Sequence, residues 1–348
     1  MEWSANMKID NAEKEIEDAH YPNIRFFSVH NRTALQPQID LGGDGWAACS
    51  PETMKHFSAV AYFFARKLQK ELEVPVGLIN ASWGGTPIEV WMPGQVVEED
   101  AFLKAAAEQL IDVPWGPIDP GKAYNAMIAP LVNFNIAGAI WYQGESNTRN
   151  PFAYKEMLTA LTGAWRRLWK KDFPFYFVQI APYQYDSPLI GAIVRDEQRQ
   201  ALEIPNTGMA VTSDIGNISD IHPGNKQDVG LRLANLALKH HYQTINSIVS
   251  GPLYRSMNFE ENKIRLYFDY AEGLHFKGKS DTTFFEIAGK DRIFYPAKAE
   301  ISENTILVSS RKVNKPLAVR FAWSNTAEPD LFNSAGLPAS CFRTDNWE

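Results

Sequence analysis

The chain has 348 residues, 45% of them hydrophobic and 12% aromatic, enough apolar surface to fill one large domain and a smaller one. A net charge of -7 excludes the basic field that recruits nucleic acid or anionic lipid, and suits a neutral or small substrate. The 2 cysteines, Cys49 and Cys341, exclude a disulfide framework and a cysteine-based zinc site, and no run reaches the roughly 20 apolar residues of a membrane span.

From about residue 20 to 243, short apolar runs alternate with longer helical periodicities, the pattern of a parallel sheet covered by helices. Runs of strand type fall at 24–29, 74–80, 136–142, 175–180 and 209–212. Most are solidly apolar, as strands buried on both faces should be. Ser50 and Pro51 read as the N-cap and first residue of a helix whose Val60, Phe64, Leu68 and Leu72 share a face. Tyr154, Leu158, Leu161, Trp165 and Leu168 mark a second helix. Val229, Leu233 and Leu236, flanked by Leu231 and Leu238, mark a third over 226–242.

After Tyr242 the period changes to two. Ile264, Leu266, Phe268 and Tyr270 alternate with Lys263, Arg265, Tyr267 and Asp269, which predicts half-buried antiparallel strands. Shorter runs at 284–287, 306–308 and 317–323 continue that pattern. The expected organisation is a domain over 1–243 and a β-rich domain over 244–348.

Three motifs carry candidate chemistry, each following an apolar run. Trp83-Gly84-Gly85-Thr86 follows 74–80, where paired glycines allow a ligand to approach a backbone N–H; a plain turn has the same composition. Gln143-Gly144-Glu145-Ser146-Asn147 follows 136–142 and precedes a helix. Gln143 and Asn147 can donate to an oxyanion and Glu145 can orient a base, but Ser146 or Asn147 can equally cap the helix. Gly144-Glu145-Ser146 resembles a nucleophile elbow, yet the second glycine of that pattern is Thr148, a poor substitute where backbones approach closely. Asp220 and His222 lie two apart on a loop, so in extended chain the carboxylate can fix the imidazole tautomer as in half of a Ser-His-Asp arrangement. Alone, such a pair is also the composition of a surface ion pair. His240 and His241 suit a helix C-terminus rather than a metal.

Taken in order, these motifs, with Val74-Pro75-Val76-Gly77-Leu78-Ile79-Asn80, Trp141-Tyr142 and Pro223, resemble the SGNH-hydrolase group that includes sialate O-acetylesterases and related carbohydrate acetylesterases. Ile287-Ala288-Gly289 and Val319-Arg320-Phe321-Ala322-Trp323 extend the similarity into the β-rich tail. The resemblance implies a flavodoxin-like three-layer α/β/α domain with a β-sandwich-like appendage. It also implies an acetylated glycan or sialic acid as substrate, no cofactor or metal, and an extracytoplasmic, periplasmic or secreted home.

The resemblance assigns His222 as base, Asp220 as its orienter, Glu145 as a second carboxylate partner, and Gly85 with Gln143 or Asn147 as oxyanion donors. The family's nucleophile stands in a Gly-Gln-Ser-Asn word followed directly by Met-Glu-Trp, and this chain begins Met1-Glu2-Trp3. The serine and the first sheet strand are therefore expected ahead of Met1, which would leave these 348 residues inactive and aggregation-prone. Ser4 lies past the elbow, and Ser146 is the alternative nucleophile. The segment 93–124 is shorter than in many relatives, which bears on which sugar is taken, sialic acid or xylan among them. The competing expectation is a non-catalytic glycan-binding or scaffolding remnant of the same fold.

Overall fold

The structure is a computed structural model that describes residues 1–278 and 284–347. In chain order the first elements are α1 (Ala12–Glu17), β1 (Tyr21–Ser28), β2 (Ala47–Cys49), α2 (Pro51–Met54), α3 (Ala59–Leu72) and β3 (Val76–Asn80). They are followed by α4 (Gly94–Glu98), α5 (Ala101–Ala107), β4 (Ala139–Trp141), α6 (Tyr154–Trp169), β5 (Phe175–Val178), α7 (Ile190–Gln200), β6 (Thr207–Ala210) and α8 (Lys226–Leu236). The remaining strands are β7 (Leu253–Glu260), β8 (Lys263–Asp269), β9 (His275–Phe276), β10 (Phe285–Ala288) and β11 (Phe294–Pro296). The last five are β12 (Lys298–Ser302), β13 (Thr305–Ser309), β14 (Ala318–Phe321), β15 (Leu331–Phe332) and β16 (Phe342–Arg343). Among the described residues no helix is long and apolar enough to cross a membrane.

The chain divides into two compact units. One comprises Met1–Val178, Ala201–Ala210 and His222–Ile245; the other comprises Gln179–Gln200, Val211–Ile221 and 246–348. The final crossing, after Ile245, falls beside the change of periodicity at 244. Two earlier excursions, carrying α7 and the loop that ends at Ile221, also join the second unit.

The first unit is a parallel α/β structure in two sheets. β1 pairs in parallel with β3 through Ile24 with Val76 to Ser28 with Asn80, and β2 adds an antiparallel edge. The second sheet runs β4-β5-β6, all parallel, with Ala139 opposite Phe175 and Phe175 opposite Thr207. Among the described strands nothing bridges β3 to β4.

The strands are shorter than the apolar runs that foretell them, and their burial is uneven. β5 is buried at all four positions, as expected of a doubly covered strand. In β3 no residue is buried and Gly77 is exposed; in β4 only Trp141 is buried. The expectation of full burial thus fails at these two strands and at β1, where only Ile24 and Phe26 are buried.

Helices flank the sheets. Ser58 caps α3 by accepting from Ala61 N at 3.3 Å, and Glu73 closes the helix in the left-handed region at φ 54°. Tyr62 and Phe63 are fully buried alongside Val60 and Leu68, so the buried face is wider than one stripe. α8 packs against α3 at Gly230, where a Cβ would come within 2.6 Å of Phe63 Cβ and 2.8 Å of Val60 O. The run expected as one helix over 226–242 is α8 followed by a π-helical turn, Ala237–His241. In α6, Trp165 meets Trp141 and Phe175 edge-on at 6.3 and 6.0 Å.

In the second unit two four-stranded antiparallel sheets, β11-β10-β14-β16 and β12-β13-β8-β7, accompany the two-stranded ribbon β15-β9. β8 alternates as its sequence predicts, with Ile264, Leu266 and Phe268 buried. One cluster gathers these with Phe285, Ile287, Ile306, Val308, Val319, Phe321 and Phe342. That is the core of a sandwich.

Candidate active site

The three motifs leave the C-terminal ends of strands. Trp83–Thr86 follows β3, Gln143–Asn147 follows β4, and the loop through His222 follows β6. In open α/β sheets that edge is where ligands bind.

The glycine turn is held by its tryptophans. Trp115 Nε1 donates to Gly85 O at 3.2 Å and Trp83 Nε1 donates to Trp115 O at 2.8 Å. Gly85 has φ +74°, and a Cβ there would lie 2.4 Å from Trp115 Nε1, so both backbone and space require glycine. Thr86 closes the turn by donating to Trp83 O at 2.6 Å and accepts from Trp91 Nε1 at 3.0 Å.

Gln143 ties the second motif to this turn. Its Nε2 donates to Thr86 O at 3.2 Å and to Asn147 Oδ1 at 2.8 Å, while the Tyr154 hydroxyl lies 3.0 Å from its Oε1. Asn147 is fully buried. Its Nδ2 donates to Glu89 Oε2 at 2.9 Å and to Asn150 Oδ1 at 3.0 Å, and its Oδ1 also accepts from Ile88 N at 3.0 Å. Asn150 Nδ2 donates to Glu89 Oε1 at 2.7 Å. Both amide hydrogens of Gln143 and both of Asn147 are therefore engaged inside the wall, whereas the sequence reading held them ready for an oxyanion. Burial pushes the Glu89 carboxyl above the usual carboxylate range, against the pull of its two amide donors.

Glu145 opens the 3₁₀ turn Glu145–Arg149. Burial raises its carboxyl too, while its own backbone N–H, the Met1 ammonium and Lys226 pull it back. Lys226, only 4% exposed, sets its ammonium 5.3 Å over the Tyr142 ring. Ser146 is half-buried within the same turn, and Thr148 Oγ1 donates back to Glu145 O at 2.8 Å. Ser4 is buried and donates to Asn6 Oδ1 at 2.6 Å.

The first three residues touch all three motifs. Met1 N donates to Tyr142 O at 3.3 Å, and Glu2 Oε2 accepts from Gly84 N at 2.5 Å while its Oε1 accepts from Asn31 Nδ2 at 3.2 Å. The Trp3 ring stacks on the His222 imidazole at 4.1 Å and 9°. Ser58 Oγ donates to Met1 O at 2.6 Å and Ala59 N donates to Trp3 O at 3.0 Å, so the start of α3 fixes this segment. His222 is exposed. Asp220 is exposed, with its N–H donating to Asn217 O at 3.1 Å, and the division between units falls between Ile221 and His222.

Sequence reasoning missed Glu2, Glu89, Tyr154 and Lys226. Glu89 left one signal, a lone carboxylate in the apolar stretch Ile88-Glu89-Val90-Trp91-Met92. Lys226 and Tyr154 left none, because their partners are distant in sequence.

Comparison with known proteins shows the family of the chain. A family model described as carbohydrate esterase, sialic acid-specific acetylesterase, matches residues 46–239. A sialate O-acetylesterase of Pongo abelii is 31% identical over 376 residues, 97% of this chain and 71% of that one. One from Rattus norvegicus is 29% identical over 383 residues, 91% of this chain and 70% of its own. The crystal structure of a carbohydrate acetylesterase from Xanthomonas citri, 36% identical, superposes with a TM-score of 0.90 over 100% of this chain and 78% of that one.

Proposed function

Because this chain belongs to the sialic acid-specific acetylesterase family of carbohydrate esterases, we propose that it is the body of a glycan O-acetylesterase working by a serine mechanism with His222 as base. The observation that carries the reading is the convergence of Met1, Glu2 and Trp3 on the loops bearing Tyr142, Gly84 and His222. A serine presented just ahead of Met1 stands, on this reading, beside the glycine turn and the imidazole together.

In the proposed cycle the serine Oγ attacks the acetyl carbonyl as His222 accepts its proton, and the collapsing tetrahedral intermediate takes that proton back onto the sugar hydroxyl that leaves. Water, deprotonated by His222, then releases acetate. Asp220 orients His222, and Glu145, beside Lys226, is the second carboxylate. For the oxyanion, Gly85 N–H is the donor this reading favours. Gln143 and Asn147, their amide hydrogens already engaged, brace the glycine turn instead.

The test is acetate release from O-acetylated sugars by a form carrying the family's first strand and Gly-Gln-Ser-Asn ahead of Met1. There His222→Ala should lower turnover on the order of a millionfold, since the triad acts as a unit. A His222→Ala form that keeps its activity would remove the base from this scheme.

A further inference from the structure

In the first unit a second, shorter turn lies against the glycine turn that follows β3. Val113 and Gly116 form an isolated antiparallel bridge around Pro114 and Trp115, and the proline fixes its own φ, so this turn is stiff. It also packs closely. A Cβ on Gly116 would come within 2.8 Å of Thr86 Cγ2 and 3.3 Å of Trp83 Nε1. Trp115 is held at both ends: its carbonyl accepts from Trp83 Nε1 at 2.8 Å, and its own Nε1 donates to Gly85 O at 3.2 Å. Nε1 and Cδ1 are the atoms that a Cβ on Gly85 would strike first, so the five-membered edge of the indole rests on Gly85 and the six-membered ring lies farther out.

Fixed in this way, Trp115 is still 58% exposed. A single exposed aromatic means little by itself. Trp115 is set apart by its place, a large flat face whose one polar atom is already bonded, standing beside Gly84 and Gly85, which are themselves exposed. Bracing the glycine turn needs only the Nε1 bond and leaves the open face of the ring without a use. Holding that face in one orientation before a ligand arrives removes part of the ordering cost of binding. An indole face suits the C–H face of a pyranose, whereas an acetyl methyl is too small to cover it.

We propose that Trp115 is a specificity-determining residue of the esterase, its ring stacking on the pyranose that bears the acetyl ester. The inference rests on the esterase reading, which gives Gly85 N–H to the oxyanion: through the Trp115–Gly85 contact, a sugar seated on the indole has its ester beside that donor.

The test compares esters in the form that carries the family's first strand and Gly-Gln-Ser-Asn ahead of Met1. A mono-O-acetylated methyl xyloside and O-acetylated N-acetylneuraminic acid have a ring to stack; ethyl acetate has none. Trp115→Ala should raise KM for the better of the sugar esters roughly tenfold more than KM for ethyl acetate, and Trp115→Phe, which keeps a ring but loses the bond to Gly85 O, should recover most of that loss. Equal losses on sugar ester and ethyl acetate, or a Phe form as weak as the Ala form, overturns the proposal and leaves Trp115 a brace of the turn. Binding is read separately in the 348-residue chain labelled with fluorotryptophan, where the Trp115 signal is the one of 10 that is missing in Trp115→Phe. Methyl xyloside or N-acetylneuraminic acid should shift that signal, and a signal unmoved by either also overturns the proposal. A shifted signal without esterase activity in the serine-bearing form would overturn the esterase reading and leave a sugar site; esterase activity with equal losses overturns only the stacking role.

Discussion

In the β-rich unit the inward residues Ile264, Leu266, Phe285, Ile287, Ile306, Val308, Val319 and Phe321 are fully buried, because each sheet has its partner. In the α/β unit the comparably apolar β3 and β4 stay half-exposed, while β5, paired on both sides, is buried throughout. The contrast is not set by strand pairing alone: β1, paired on both sides, buries only Ile24 and Phe26, while the edge strand β6 is buried from Gly208 to Ala210, so what covers a strand's faces decides its burial. Two of the three motif loops leave these half-open strands, β3 and β4, while the third leaves the largely buried β6.

The largest expected effect that can break this comparison is core truncation. Phe342, stacked on Tyr254 at 4.6 Å and close to Phe321 at 5.7 Å, is fully buried. Phe342→Ala should cost about 3–5 kcal/mol, whereas Leu78→Ala in β3 should cost only about 1 kcal/mol, by urea unfolding. Equal costs would mean that β3 is as well packed as the sandwich. Hydrogen exchange should agree, with β3 and β4 amides exchanging well before those of β8 and β14.

Next is the buried carboxylate behind the glycine turn. Glu89→Ala strands the Asn147 and Asn150 amides and should cost on the order of 3 kcal/mol. It should also loosen Gln143 from Thr86, seen as faster exchange around Gly85.

A smaller effect follows from pH. The folded Glu89 carboxyl sits above its ordinary 4.5, so the folded state keeps a proton that the unfolded chain has released. Its contribution to stability is full below 4.5 and fades as pH rises through the raised value. Glu145 acts in the same direction. Urea midpoints measured upward from that pH should therefore decline, and Glu89→Gln should reduce the slope; an unchanged slope would mean that Glu89 is ionised throughout.

The smallest effect is Trp3→Ala, which removes the ring stacked on His222 and should cost about 1 kcal/mol. A shift of the His222 imidazole resonances would show that this ring sets its orientation.

Much of this was legible in the sequence. Alternation in Lys263–Asp269, the Ser50 cap and the loop placement of all three motifs follow from period and local chemistry, but the single helix expected from Ser50 is two, α2 and an α3 that starts afresh at its own cap, Ser58. Element ends were less legible: Val74 stands 47% exposed outside β3, since an apolar residue before a proline reads as strand whether or not a neighbour pairs with it. In the site, types and order were readable, but the commitments of Gln143 and Asn147 were not, because Glu89 and Asn147 are separated by 58 residues.

The most direct test of the central claim, that His222 and the glycine turn serve a serine adjoining Met1, is p-nitrophenyl acetate hydrolysis by two forms side by side. The 348-residue chain should turn over little, and the form with Gly-Gln-Ser-Asn and its strand ahead of Met1 should be faster by orders of magnitude. Strong hydrolysis by the shorter form, lost on Ser146→Ala, would contradict the account and move the nucleophile to Ser146.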